Sequence, residues 1–405
     1  MIAIWGQSLE PIWIDATELE ARVAGMTNAS GPPYSPELVK VLDEISRRIL
    51  QHPQLRHGPQ YVALAFWLRR ASMKRLAEGL RAAEQPGYLP SARGVALHLP
   101  PTNVDTIFVY SWAMSLFAGN ANVVRLPEML KPETRLLVSL LATTLCDLGE
   151  GHRQLFCHYP YGQPIEAALA KHFDLRLIWG GDAKVNQVSK LPIRPDGLSI
   201  GFPDRKSLAL IASDTYRQAG EAERDSLAER FFNDVYWFDQ MGCGSPRLLI
   251  WLDEPGTLAE DFYRRVAKLA RSKNYKVEAG TAIGKLALAH DLLAEAVTDH
   301  LSAYGNALHV SRAVDPVEAL HRSHGGGFLC DWVATTIEDL APLASRPLQT
   351  VTHFGIDAAA CEALALTLRG RGGYRIVPIG QALQFEPIWD GVDLLRHMTR
   401  IVTWR

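Results

Sequence analysis

From Arg93 onward, short apolar runs alternate with segments of helical period, and this alternation restricts the fold more than any single residue does. GVALHLP (94–100) reads as a strand, Thr106 to Phe117 as a helix stopped by Gly119-Asn120, and ANVVRLP (121–127) as the next strand, giving one βαβ unit. Pro132 opens a helix to about Asp147, and QLFCHYP (154–160), a helix near Glu166 to His172 and the strand LRLIW (175–179) continue the series. Such repetition implies a parallel, doubly wound sheet whose ligands bind beyond the carboxyl ends of its strands. The loops to search are therefore Pro100 to Asn103, Arg125 to Glu128 and Gly180 to Asp182. A dinucleotide would suit them, but the GxGxxG fingerprint is absent and a Gly pair also serves ordinary turns.

The flanking regions are read more coarsely. Residues 1–34 yield only short strands or turns; Ser35 then caps a helix with Pro36 in its first turn and Leu38, Val41, Ile45 and Ile49 on one face. A second helix is predicted from about Tyr61 to Leu80, with Arg69, Arg70, Lys74 and Arg75 on or near its exposed side. Later come a strand at Leu208 to Ala212, a long helix from Tyr216 to Asp234, a buried strand at Leu248 to Trp251 and a helix around Leu258 to Ala270. LHVSR, GFLCDWVAT and TVTHF, then a helix near Ala358 to Arg369, complete a second αβ layer. The expected organisation is α/β, with residues 1–214 as a doubly wound domain, 215–375 as a second αβ domain carrying Cys243, and 376–405 returning to the first domain or to an oligomer interface. Ile379, Leu383, Phe385, Ile388 and Trp389 are that segment's candidate contact residues.

Charge and cysteine usage exclude several function classes. A formal net charge of -2 leaves no global basic field for nucleic acid or an anionic membrane surface. Five widely spaced cysteines without a CxxC pair imply reduced thiols, and MIAIWGQSLEPIWID has no basic leader, so a cytoplasmic protein is expected. The longest apolar stretch, Val104 to Val124, is interrupted by Asp105, Gly119, Asn120 and Asn122 and reads as a buried helix and strand, not a membrane span.

The segment FNDVYWFDQMGCGSPRLLIW (232–251) carries the most pointed chemistry. Cys243 lies between glycines and just before an apolar strand; small neighbours would let a carbonyl approach the sulfur and let backbone amides turn toward it. Taken alone, these residues favour a buried structural thiol, since free cysteine is among the most buried residue types. GCGSP is not a GxSxG elbow, Gly325-Gly326-Gly327 reads as a turn, and His152, Cys157 and His158, or His321 and His324, do not form paired metal ligands.

Taken in order, PPTNVDTIFVYSWAMSLFAGNANVVRLPE, IWGGD, DRKSLALIASD and DQMGCGSP resemble the aldehyde dehydrogenase superfamily. The DQ-x-x-C-x-SP stretch, the length and the WDG and MTR segments are similar to the long-chain fatty-acyl-CoA reductase family of bacterial bioluminescence. The resemblance implies an aldehyde dehydrogenase-like fold and reduction of an activated fatty acyl group to an aldehyde through a cysteine acyl-enzyme. It assigns Cys243 as nucleophile and Asn103 as an oxyanion donor with the Cys243 backbone N–H. It places Pro100, Arg125, Trp179, Gly180, Gly181 and Asp182 around the cofactor. Arg125 stands where the family usually has a lysine, and its planar donor fork suits a 2'-phosphate, so NADPH is expected. Phe202 replaces the glutamate that activates water, while Lys206 and Ser207 remain; Cys243 follows Gln240 by three residues where the common loop has two. Implied partners are an acyl-CoA or acyl-carrier donor, an acyl-protein synthetase and further copies of the chain. A short-chain acylating aldehyde dehydrogenase and a non-catalytic acyl-carrier or scaffold subunit are the alternatives.

Overall fold

The computed structural model describes residues 1–82, 86–101, 106–160 and 164–405. Two units emerge, one made of Met1–Pro203, Phe385–Ile388 and Val392–Arg405, the other of Asp204–Gln384 and Trp389–Gly391.

The first unit contains β1 (Ile2–Trp5), β2 (Ile12–Ile14), α1 (Ala16–Gly25), α2 (Pro36–Gln51), α3 (Pro59–Leu68), α4 (Arg70–Ala82), β3 (Tyr88–Ala92) and β4 (Val95–Leu99). It continues with α5 (Ile107–Phe117), β5 (Ala121–Arg125), α6 (Pro132–Asp147), β6 (Gln154–His158), α7 (Pro164–Ala170), β7 (Leu175–Trp179), α8 (Asp182–Ser189) and β8 (Leu198–Phe202). Its main sheet has the order β2-β1-β6-β5-β4-β7-β8. The strands from β6 to β8 run parallel, and β1 is antiparallel to both of its neighbours. Every residue of β4, β5 and β7 is buried, because helices cover both faces. The chain leaves β4 toward β5 and β6 and then returns to β7 on β4's other side. The topological switch point, where an open sheet offers a crevice, is therefore at the carboxyl ends of β4 and β7.

Two features depart from the sequence reading. The helix expected from Tyr61 to Leu80 is two, α3 and α4, because Arg69 takes an extended conformation. Asp43 caps the new start by accepting the Arg70 backbone N–H at 2.8 Å. Residues 1–34 form a β-ribbon and the helix α1, capped by Asp15.

A buried polar chain ties this sheet to α5. His98 on β4 bonds Ser111 Oγ through Nδ1 at 2.8 Å and Asn122 Oδ1 through Nε2 at 2.9 Å. Asn122 and Trp112 both donate to Gln154 Oε1, and Trp179 Nε1 donates to Ser111 Oγ at 3.2 Å. Burial pushes the His98 imidazole down to about 4, so it is neutral and each ring nitrogen has one partner.

The second unit contains β9 (Lys206–Ala212), α9 (Ser213–Gln218), α10 (Glu221–Tyr236), β10 (Pro246–Leu252), α11 (Thr257–Ser272), α12 (Ala279–Ala294) and β11 (Thr298–Ala303). These are followed by β12 (His309–Ala313), α13 (Pro316–His321), β13 (Phe328–Ala334), β14 (Leu348–Phe354), α14 (Ala358–Leu368) and β15 (Arg375–Pro378). The sheet order is β11-β12-β13-β10-β9-β14-β15, parallel except for the β11–β12 pair. One long helix from Tyr216 to Asp234 was expected; Ala219 is extended and Gly220 caps a fresh start, so α9 and α10 are separate. Helix α12 escaped the sequence reading because Gly280 and Gly284 interrupt its pattern. Gly284 is required by packing: a Cβ there would lie 2.5 Å from His324 Nε2.

The chain ends with β16 (Ile388–Trp389), β17 (Val392–Asp393), α15 (Leu394–His397) and β18 (Thr399–Thr403). Strand β18 pairs antiparallel with β3 in a separate two-stranded ribbon of the first unit.

The neutral state of His98 makes the first unit sensitive to acid. Its folded pKa lies below the free value of 6.5, so stability present above pH 6.5 is lost as pH falls toward 4, where the unfolded chain takes up the proton. His98→Leu leaves Ser111 and Asn122 without their ring partner and is expected to cost about 2–5 kcal/mol. Urea unfolding at pH 7.5 and 5 should show that loss, together with a shallower decline between the two pH values in the variant.

Candidate active site

The second unit gathers its chemistry at the amino ends of its central strands, not at their carboxyl ends. Strand β9 lies between β10 and β14, and register breaks on both sides, between Pro246 and Leu248 and between Leu348 and Val351. Pro246 has no N–H to give the ladder. The Ser207 hydroxyl serves both gaps: it donates to the Cys243 carbonyl at 2.7 Å and accepts the Thr350 N–H at 3.1 Å. One buried side chain thus brings the loop of Cys243 and the start of β14 to the same edge.

Gln240 fixes the other end of the loop. Its Nε2 donates to the carbonyls of Pro246 at 2.8 Å and Phe328 at 2.9 Å, and its Oε1 accepts the Gly327 N–H at 3.0 Å. Gln240 is buried and holds φ of +62°, a left-handed backbone offset by these three bonds. Between Gln240 and Ser207 the loop packs closely: a Cβ on Gly244 would fall 2.5 Å from the Ala382 carbonyl oxygen. That glycine is demanded by contact.

Cys243 itself is only partly buried as a residue. Its thiol is nevertheless pushed up to about 11, first by burial and next by the Asp390 carboxylate, against the Gln349 side chain and the backbone N–H groups of Gly244 and Cys243, which hydrogen-bond the sulfur. The glycine-flanked backbone turns amide donors toward the sulfur, but these donors do not outweigh desolvation. Gln349 Nε2 also donates to Asp390 Oδ1, and Arg205 Nε donates to Asp390 Oδ2 at 3.0 Å. The Asp390 side chain is 3% exposed. It points inward from a left-handed turn, φ +51°, between Trp389 and Gly391. Positive charge gathers nearby: Arg247 donates to the His324 carbonyl at 2.8 Å and feels Cys243 electrostatically, and Lys206 Nζ donates to Ser323 Oγ at 3.0 Å.

In the first unit, the switch point brings Pro100 and Trp179 together through a side chain the sequence reading passed over. Lys184 Nζ, on α8, donates to the carbonyls of Pro100 at 2.7 Å, Trp179 at 2.9 Å and Leu99 at 3.4 Å. Burial and the nearby Arg125 push its ammonium down to about 8. Gly180 holds φ of +151°, and a Cβ there would sit 2.7 Å from Lys184 Cδ. Gly181 caps α8 and Asp182 is its first residue. Arg125 is buried; its Nε donates to the Tyr159 carbonyl at 2.8 Å and its guanidinium lies 5.1 Å from the Tyr159 ring. Phe202 is buried and stacks on Trp179, ring centroids 3.9 Å apart and 16° from parallel. Asn103 lies outside the described residues.

The sequence reading missed Lys184, Arg205, Arg247, Gln349 and Asp390. Asp390 had a signal in the WDG segment, and Gln349 in being the polar residue near the start of the apolar run LQTVTHF. Lys184 had none, because a single lysine in a helix reads as a solvated face. Among the described residues, no group of three His, Cys, Asp or Glu side chains is placed to hold a metal ion. None of their helices is long and apolar enough to cross a membrane.

Comparison with known proteins gives this geometry a context. Residues 70–281, just over half of the chain, match the family described as acyl-CoA reductase (LuxC). No curated protein matches the sequence. Among solved structures, an NAD-dependent benzaldehyde dehydrogenase from Corynebacterium glutamicum is 13% identical, with a TM-score of 0.67 over 99% of this chain and 94% of the other. A putative aldehyde dehydrogenase from Burkholderia cenocepacia is 18% identical, with a TM-score of 0.67 over 99% and 95%. An NAD-dependent aldehyde dehydrogenase from Sinorhizobium meliloti is 14% identical, with a TM-score of 0.68 over 99% and 90%. At these identities the likeness establishes the fold, which is that of the aldehyde dehydrogenases, as expected.

With its thiol near 11, Cys243 holds only a small thiolate fraction at neutral pH, and that fraction grows with pH. Iodoacetamide labelling of Cys243, followed by peptide mass, is expected to rise about tenfold per pH unit from 7 to 10. A plateau below pH 9 would contradict the burial of this thiol.

Proposed function

This chain belongs to the LuxC acyl-CoA reductase family, and from that premise we propose that it reduces a long-chain fatty acyl group, delivered as a thioester of CoA or of an acyl carrier, to the aldehyde with NADPH through an acyl-enzyme on Cys243. Aldehyde-forming acyl reduction follows from the family; the nucleophile, the cofactor preference and the chain length go beyond it. The observation that carries it is the setting of Cys243, whose sulfur receives the Gln349 side chain and two backbone N–H groups at the mouth of a glycine-flanked loop.

The Cys243 thiolate attacks the carbonyl carbon, the bond to the donor sulfur breaks, and the donor thiolate leaves. The N–H groups of this loop, with Asn103 by family resemblance, offset the oxyanion; one such donor is worth about 3–4 kcal/mol. NADPH, when bound, supplies the hydride that reduces the acyl-enzyme. Cys243 then leaves from the resulting thiohemiacetal anion, which collapses to the aldehyde without a general base. Phe202 supports reduction over hydrolysis, since a buried ring stacked on Trp179 offers no proton acceptor to activate water.

The residues at the switch point fit an anionic dinucleotide. Arg125 and Lys184 bring two cations to the carboxyl edge of the sheet, near Pro100, Trp179 and the glycine turn at Gly180 and Gly181. Arg125 supports NADPH over NADH because its guanidinium matches a 2'-phosphate. Nicotinamide fluorescence should give tighter binding of NADPH.

Self-association is proposed through the ribbon of β3 and β18. Of the candidates for an intersubunit contact, Ile379 and Trp389 are buried within the chain and Ile388 is exposed, as are Leu89, Ile401, Val402 and Trp404 on or beside the ribbon. Ile401→Lys with Trp404→Lys should lower the mass measured by light scattering; an unchanged mass would exclude this surface. An acyl-protein synthetase remains the partner suggested by family resemblance.

Intact-protein mass after mixing with a long-chain acyl-CoA is expected to show an adduct on Cys243 that disappears when NADPH is added. Cys243→Ala should carry no adduct and lose aldehyde formation by about 10³-fold or more. Retained NADPH-dependent aldehyde formation in that variant would overturn the assignment, and faster turnover of short than long acyl thioesters would overturn the chain length.

A further inference from the structure

Behind Cys243 stands a buried chain of side chains that the acyl-transfer chemistry does not itself require. Gln349 lies at the irregular start of β14, held there because Thr350 N–H bonds the Ser207 hydroxyl, which also bonds the Cys243 carbonyl. Its amide bonds the Cys243 sulfur on one side and the Asp390 carboxylate on the other. Asp390 is fixed in turn by Arg205 at 3.0 Å, and Arg205 Nη1 donates to the Arg346 carbonyl at 3.0 Å. Each link comes from a different segment: the start of β9, the start of β14, the nucleophile loop and the WDG turn.

We propose that Asp390 and Gln349 are positioning residues that set the nucleophilicity of Cys243: the carboxylate, locked by Arg205, orients the Gln349 amide so that one N–H is committed to Asp390 and the other to the sulfur. The inference rests on the reading of Cys243 as the acyl acceptor, but it concerns the thiol itself and is measurable without turnover.

The geometry gives the two residues opposite effects. An amide on its own is free to present either its oxygen or its nitrogen to the sulfur. Asp390 is an acceptor only, so it selects the nitrogen end and makes Gln349 a donor to the thiolate. The same carboxylate carries a negative charge near the sulfur and so opposes formation of a second one. The charged groups that act on this thiol are Asp390 from the WDG turn and Arg247 from β10; Lys206, with Asp204 beside it, neighbours Arg247, and Arg205 binds Asp390. Arg205 is engaged with Asp390, and Arg247 with a backbone carbonyl. Among these groups, Asp390 is the carboxylate that acts on the sulfur. The resting enzyme therefore keeps Cys243 as a protected thiol, with the donor that will stabilise its anion already aligned.

The test compares Asp390→Asn with Gln349→Met. The asparagine keeps an acceptor for Arg205 but removes the charge; the methionine keeps the length of the side chain but removes the donor. Iodoacetamide labelling of Cys243 across pH 6 to 12, read by peptide mass, is expected to shift its midpoint down by about one unit in Asp390→Asn and up by about half a unit in Gln349→Met. Loosened packing alone would speed labelling in both variants without moving either midpoint. Unmoved midpoints, or midpoints that move in the same direction, overturn the proposal, and circular dichroism at each pH confirms that the variants are folded. Opposite shifts with no acyl adduct on Cys243 would leave this tuning intact and defeat the acyl-enzyme reading instead.

Discussion

The Ser207 hydroxyl occupies the one place in the second sheet where two neighbouring strands both fall out of register. A parallel ladder that slips on each side of a central strand leaves backbone donors and acceptors that must be satisfied inside the protein. Ser207 meets one of each, the Thr350 N–H and the Cys243 carbonyl. Alanine there would remove both bonds, and valine would add bulk without restoring either. Because the amino ends of parallel strands lie along one edge, the two slips that Ser207 reconciles also bring Cys243, Gln349 and the entry of β13 together. Gln240 completes the arrangement from the opposite side with three bonds to that edge. The loop of Cys243 is thus positioned by a defect in a sheet and two polar side chains that make the defect tolerable.

Electrostatics at this edge is a contest that burial wins. Three hydrogen-bond donors favour the Cys243 thiolate, and burial together with Asp390 opposes it, leaving the thiol near 11. The thiolate fraction at pH 7.5 is then about three in ten thousand. A low fraction is offset in part by high intrinsic nucleophilicity, since a basic thiolate attacks faster than an acidic one. A thiol kept in this state is slow to oxidise, because susceptibility follows thiolate character.

Much of the first unit was legible because its strands are short, apolar and bounded by glycine and proline. β4, β5, β6 and β7 lie where the alternation put them, and α6 runs from Pro132 to Asp147 as expected. What escaped notice has physical causes. The break at Arg69 depends on Asp43, a residue more than twenty positions away that caps α4, and local periodicity carries no trace of it. Helix α12 was hidden by two glycines, of which Gly284 lies against His324. At the site, Cys243 stood out by its neighbours, but Gln349 and Asp390 are recruited across the fold. The carboxyl edge of the first unit's sheet gathers Pro100, Trp179 and Gly180, where the alternation pointed, while the second unit uses the opposite edge of its own sheet.

Phe202 and the buried network beneath it fix the carboxyl end of β7. The Phe202 ring stacks on Trp179, whose indole N–H is held by Ser111, itself bonded to His98. Replacing that phenylalanine with a carboxylate would place a charge against the face of an indole, which carries negative quadrupolar potential, in a setting without solvent. The local structure is therefore built for a ring at this position and not merely tolerant of one. A carboxylate at this position is incompatible with the packing that fixes Trp179, and through Trp179 with the β7 end to which Lys184 is bonded. The stacked pair thus supports the switch-point end of the sheet, and a charge introduced at Phe202 would disturb the candidate cofactor edge.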